Sequence, residues 1–294
     1  MADRLERVIS LSGNFFGVAC TATELVTEAC RRHDVGPLAA AALGRALTGA
    51  ALLAALLKDS QSVQVKFEGN GPLKKIITEA GYDGWVRGYV AEPHAEVPLK
   101  DGRIDVAGGL GKAGFLTVVK DIGNNRKYPG TIELYTSEIG EDIAYYLSQS
   151  EQTPSALALA VHLAPDGSIG AAGGFLIQSL PPADETLLSQ LEKEIATMSP
   201  LSQLLLEGRG PAEILSLLFK NIPHKTIGSR QLVYACSCNR AKMEGALFSL
   251  GEEDIRSLLE KENGVEVRCE FCRQSYRFGK DDLLHLLQRN QKPL

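Results

Sequence analysis

The chain has 294 residues, 44% hydrophobic and 23% charged, a globular composition long enough for one large domain and a smaller one. Its formal charge of −5 argues against a protein built on non-specific attraction to nucleic acid, which carries a basic surplus. The N-terminal Met-Ala-Asp-Arg-Leu-Glu-Arg lacks the apolar run of a secretory signal, so a cytoplasmic, reducing compartment is expected.

Arg4 to Phe16 reads as extended, with Gly13-Asn14 as turn chemistry. Thr21 and Glu24 have the spacing of a capping box, which predicts a helix running to about His33. A second helix is expected from Pro37 to Leu57, rich in Ala and Leu. Arg45 near its middle would cost roughly 2.5–3.5 kcal/mol at a bilayer centre, so the expectation is a buried core helix and no membrane association.

From Ser62 the period switches to two: Val63, Val65 and Phe67 alternate with Gln64, Lys66 and Glu68, as in a half-buried strand. Further strands are expected at 75–79, 85–91, 115–120 and 131–135, a helix at 141–148, and a strand pair at 157–163 and 174–180 around Pro165-Asp166-Gly167. Val106 to Ala113 fails as a phosphate loop, because Val106 and Ala113 stand where glycine and a hydroxyl residue are required.

Residues 1–180 therefore read as one mixed core domain with a largely antiparallel sheet. After Pro181-Pro182 the residues are helix formers with Leu187, Leu188, Leu191, Ile195 and Met198 on one face, and 181–230 reads as an amphipathic helical linker. Residues 231–294 form a small C-terminal domain: helices at 239–250 and 252–261, strands at 265–268 and 275–278, and a last helix from about Lys280. The expected class is α+β.

The strongest chemical signal lies in that last domain. Cys236-Ser-Cys238 is followed after thirty residues by Cys269-Glu-Phe-Cys272, four of the six cysteines. Four thiolates are a complete tetrahedral set for zinc, and a metal would supply stability that a domain of this size cannot draw from its own core. Arg240, Lys242, Arg268, Arg273 and Arg277 surround the pairs in sequence and can offset thiolate charge, although each taken singly reads as part of a solvated face.

Three uses of the pairs compete: a static zinc module for nucleic acid, which would normally use two CxxC knuckles; a thioredoxin-like oxidoreductase, which would place its CxxC before a helix; and a switch in which oxidation frees the metal. Cys20 and Cys30 stand alone and read as buried small hydrophobes. His224 precedes Cys236 by twelve residues but is not needed to complete the site.

CxC, thirty residues and CxxC at the end of a chain of this length resemble the heat-shock protein 33 family of redox-regulated chaperones. Ala41-Ala42-Leu43-Gly44-Arg45, 65–72, Val118-Val119-Lys120-Asp121, Glu133-Leu134-Tyr135, 145–155 and Ala172-Gly173-Gly174-Phe175 carry the same resemblance. It implies a non-enzymatic, ATP-independent holdase that binds unfolded clients under oxidative stress and acts as a homodimer. It further implies one zinc per chain on Cys236, Cys238, Cys269 and Cys272 in the reduced state. Activation would pair Cys236 with Cys238 and Cys269 with Cys272, release zinc, and unfold the small domain and linker.

Overall fold

The computed structural model describes residues 2–124, 126–182, 184–261 and 264–290. The last four positions of the expected C-terminal domain lie outside the described residues. The chain divides into two compact units, Met1–Ala235 and Cys236–Leu294.

In the larger unit, β1 (Arg4–Ser10) and β2 (Phe15–Thr21) form a hairpin, followed by α1 (Thr23–His33) and α2 (Pro37–Ala54). A meander of β3 (Ser62–Gly69), β4 (Lys75–Gly81) and β5 (Trp85–Val90) leads through α3 (Val106–Leu110) to the hairpin of β6 (Gly114–Asp121) and β7 (Lys127–Glu133). Next come α4 (Ile139–Gln149) and the hairpin of β8 (Ser155–Leu163) and β9 (Ile169–Ser179). Helices α5 (Glu185–Thr197), α6 (Leu201–Leu206) and α7 (Pro211–Leu218) precede β10 (His224–Gln231) and β11 (Val233–Tyr234). The smaller unit contains α8 (Arg240–Phe248), α9 (Glu252–Lys261), the hairpin of β12 (Gly264–Arg268) and β13 (Ser275–Gly279), and α10 (Lys280–Asn290).

Two sheets build the larger unit, in the orders β10-β1-β2-β9-β8 and β11-β5-β4-β3-β6-β7. Their pairs are antiparallel except β11 with β5. The fold is thus α+β, as the alternation of apolar and polar residues requires: in β3, Val63, Val65 and Phe67 are buried.

Helix α2 packs against both sheets and is buried at every position except Pro37 and Arg45. An all-round apolar helix must be enclosed, and here the sheets enclose it. Gly49 shows how closely: a Cβ there would come 2.5 Å from Ile143 of α4. Arg45 reaches out of this core to Glu138, 2.6 Å away. Within the 145–155 stretch, Glu151 binds Lys120 at 2.5 Å and accepts from the Tyr146 hydroxyl at 2.6 Å.

On the opposite side of the first sheet lies a second apolar layer. Val8, Phe15, Ala19, Phe175 and Ile177 from the strands meet Leu191, Leu201, Leu205, Ile214, Leu218 and Phe219 from α5 to α7 and the residue after them. The helices begin where the sequence signals caps: the Asp184 side chain accepts from Leu187 N, and Gly210-Pro211 opens α7.

Three local readings change. Helix α1 starts at Thr23 with no cap from Thr21 or Ala22; the Asp3 carboxylate, just before β1, accepts from Leu25 N at 2.7 Å instead and caps the helix from a distant part of the chain. Helix α2 ends at Ala54, short of Leu57, where the Leu56 and Leu57 amides turn back to Leu53 and Ala54 carbonyls. Residues 224–231 form β10 beside β1, a strand the sequence did not signal because its polar residues suit an exposed edge.

Candidate metal centre

The CxC pair lies between β11 and α8, whose N-cap Asn239 accepts from Lys242 N at 2.9 Å. The CxxC pair forms the connection of the β12–β13 hairpin. Cys269 N donates to Gln274 O at 3.0 Å and Arg273 N to Cys269 O at 2.8 Å, with Arg273 at a φ of 61°. Such a tight turn needs the left-handed conformation that Arg273 adopts.

These two connections bring Cys236, Cys238, Cys269 and Cys272 together, with all four sulfurs within 4.8 Å of one another. The Cys236 and Cys269 sulfurs are 3.8 Å apart and those of Cys238 and Cys272 3.2 Å apart. A disulfide requires about 2.05 Å, so these are thiol contacts. Tetrahedral sulfurs around zinc, each about 2.3 Å from the metal, would be about 3.8 Å from one another. The donor set and its spacing therefore fit a soft divalent metal ion.

Ionisation follows burial and hydrogen bonding. Burial pushes Cys238 up, but donors at Tyr276 and the neighbouring cysteines outweigh it and bring the thiol down to about 7. Burial pushes Cys269 up against the pull of the Cys272 and Phe271 amides, and Cys272 up against the Gln274 amide. Four thiols this close cannot all ionise without a cation among them, because each thiolate raises the energy of the next.

The five basic residues near the pairs have other partners. Arg240 binds Asp282 at 2.8 Å and stacks on Phe278, and Lys242 reaches Ser237 Oγ at 3.0 Å. Arg268 donates to the Arg273 carbonyl, Arg273 lies 3.9 Å from Glu270, and Arg277 binds Glu266 at 3.2 Å. The Tyr276 hydroxyl, by contrast, lies 3.2 Å from Cys238 Sγ. Sequence reading missed it; the available signal was a phenol four residues beyond Cys272, on the strand leaving the knuckle.

The remaining cysteines belong to the larger unit. Cys20 is wholly buried in β2 and Cys30 packs against the same core, where burial pushes the Cys30 thiol up to about 12 and Cys20 up as well. Both behave as the small hydrophobes expected. His224 sits in β10 with its ring 5.2 Å from that of Phe219.

The small unit's core is slight. Leu247, Ile255, Phe278, Leu283, Leu286 and Leu287 are its buried apolar side chains among the described residues. Fold and site together define an α+β protein whose minor unit is organised on a four-cysteine, metal-type cluster.

Comparison with known proteins agrees. The family model described as Hsp33 protein matches residues 3–279. The 33 kDa chaperonin of Desulfotalea psychrophila is 60% identical over 98% of each chain, and that of Geobacter sulfurreducens 49% identical over 97% of this chain and 95% of its own. The crystal structure of the 33 kDa chaperonin (heat shock protein 33 homologue) from Thermotoga maritima superposes with a TM-score of 0.91 at 32% identity, over 98% of this chain and 99% of that one. The chain belongs to the heat-shock protein 33 family of chaperones.

Proposed function

We propose that the chain is a cytoplasmic, ATP-independent holdase switched by oxidation, non-enzymatic, and active as a homodimer. Cys236, Cys238, Cys269 and Cys272 hold one zinc per chain while reduced. Peroxide takes two electrons from each pair, forming Cys236–Cys238 and Cys269–Cys272 disulfides and releasing the metal. The observation that carries this reading is the sulfur cluster in a unit with so slight a core. Metal binding is folding energy for such a unit, on the order of 10–16 kcal/mol in comparable sites, so losing the ligands unfolds it.

In this reading residues 231–294 are the switch domain, 181–230 the linker it controls and 1–180 the core. The apolar faces of α5 to α7 and of the sheet beneath them supply the client surface once they separate. Unfolded chains are the partners such a surface fits.

The dimer draws support from the sheet edges. β7 carries Pro129 and β11 has two residues; β10 carries Lys225 and Arg230 and a register shift against β1. These features discourage edge pairing. β8, Ser-Ala-Leu-Ala-Leu-Ala-Val-His-Leu, has no charge and no proline over its 9 residues. Paired antiparallel with a second copy about Leu159, it sets Leu159 against itself, Ala158 against Ala160 and Leu157 against Val161.

Reduced protein treated with peroxide, with and without mild heat, should release zinc, lose four thiols and gain suppression of client aggregation. Zinc retained with no gain in suppression would overturn the switch. Nucleic-acid binding with a steep salt dependence would instead favour a zinc-module nucleic-acid-binding protein.

A further inference from the structure

The four sulfurs are not held alike. Cys269 and Cys272 are buried in a hairpin turn whose own amides, at Phe271, Cys272 and Gln274, donate to them. Cys238 is half-buried on the other arm, and the donor that reaches it from outside the cysteine cluster is a side chain: Tyr276, from β13. Tyr276 lies opposite Val267, and its ring packs at the edge of the small unit's core. Its hydroxyl thus ties the CxC arm to the hairpin carrying the CxxC.

We propose that Tyr276 is a positioning residue for Cys238, whose O–H···S bond sets both how tightly the centre keeps its metal and how fast this sulfur reacts with peroxide. The proposal rests on the zinc-centre reading above. A hydroxyl donating to a thiolate stabilises the charged form and draws density from the lone pair that would attack an oxidant. In that attack the sulfur lone pair takes one peroxide oxygen, the O–O bond breaks, hydroxide leaves, and Cys238 becomes a sulfenic acid. The Cys236 thiolate then displaces hydroxide from it to form the disulfide. Partners placed behind metal ligands are commonly worth 10- to 100-fold in metal affinity.

Tyr276→Phe keeps the ring and deletes the donor; Tyr276→Leu deletes both. With full-length reduced protein, metal retention is read by chelator competition, the sulfur-to-metal charge-transfer band by cobalt(II) substitution, and oxidation by peroxide-dependent thiol loss. Tyr276→Phe should bind metal about tenfold more weakly, move the band to lower energy and lose thiols several-fold faster. Wild-type values for Tyr276→Phe, with changes only in Tyr276→Leu, would mean ring packing and overturn the proposal. Should Tyr276→Phe fail to fold, 3-fluorotyrosine at this position, a stronger donor on the same ring, must tighten retention; no change overturns it. Wild-type protein that binds no cobalt(II) through thiolates sinks the zinc reading and the proposal together, whereas bound wild type with an unaltered Tyr276→Phe sinks the proposal alone.

Discussion

Asp3 is almost fully buried, and one of its carboxylate oxygens has no hydrogen-bond partner. Burial raises its pKa to about 6, against which the Leu25 amide pulls down. The folded chain therefore holds a proton here that the unfolded chain has released. Asp3 stabilises the fold fully below the ordinary carboxylate pKa near 4, and that contribution disappears as pH rises through about 6. Asp3→Asn, which keeps an acceptor for Leu25, should flatten the pH dependence of denaturant stability between about pH 4 and 6. An unchanged slope would remove Asp3 as its source. No sequence pattern reveals this residue, since the helix it caps begins twenty residues later, beyond the two strands of the β1–β2 hairpin. The cysteines were legible for the opposite reason: knuckle spacing is local.

At the scale of elements, the outer helical layer rests on two bare spots in the sheet. A Cβ at Gly17 of β2 would come 2.6 Å from the Phe219 ring, and one at Gly173 of β9 would come 2.9 Å from Leu205. Overpacking of this kind costs typically 1–3 kcal/mol. Gly17→Ala should therefore loosen α7 from the sheet, lower the thermal midpoint, and let reduced protein suppress client aggregation without peroxide. A lowered midpoint with no gain in suppression would show that this layer does not cover the client surface. The amphipathic helices were readable from their leucines; their seat was not, because a glycine in a strand does not name what lies against it. β10 escaped for a related reason: its stability comes from pairing with β1, far away in sequence.

For the whole molecule, pairing of two β8 edges about Leu159 sets Ala156 opposite His162 of the partner subunit. Ala156→Lys with His162→Lys would place like charges directly across the joint, which is destabilising. That variant should sediment as a monomer, and mixing it with Ala156→Glu/His162→Glu chains should restore a dimer. A like-charged variant that remains dimeric would move the interface elsewhere.

The sequence by itself determined the α+β class, the enclosed α2, the amphipathic helices and the four-cysteine set, since each rests on local periodicity or spacing. Only the tertiary structure decided that Asp3 caps α1, that β10 completes a sheet, that Gly17 and Gly173 seat the outer helices, and that Tyr276 rather than an arginine reaches Cys238. Each of these depends on residues brought together by folding, where distance along the chain carries no record of distance in space.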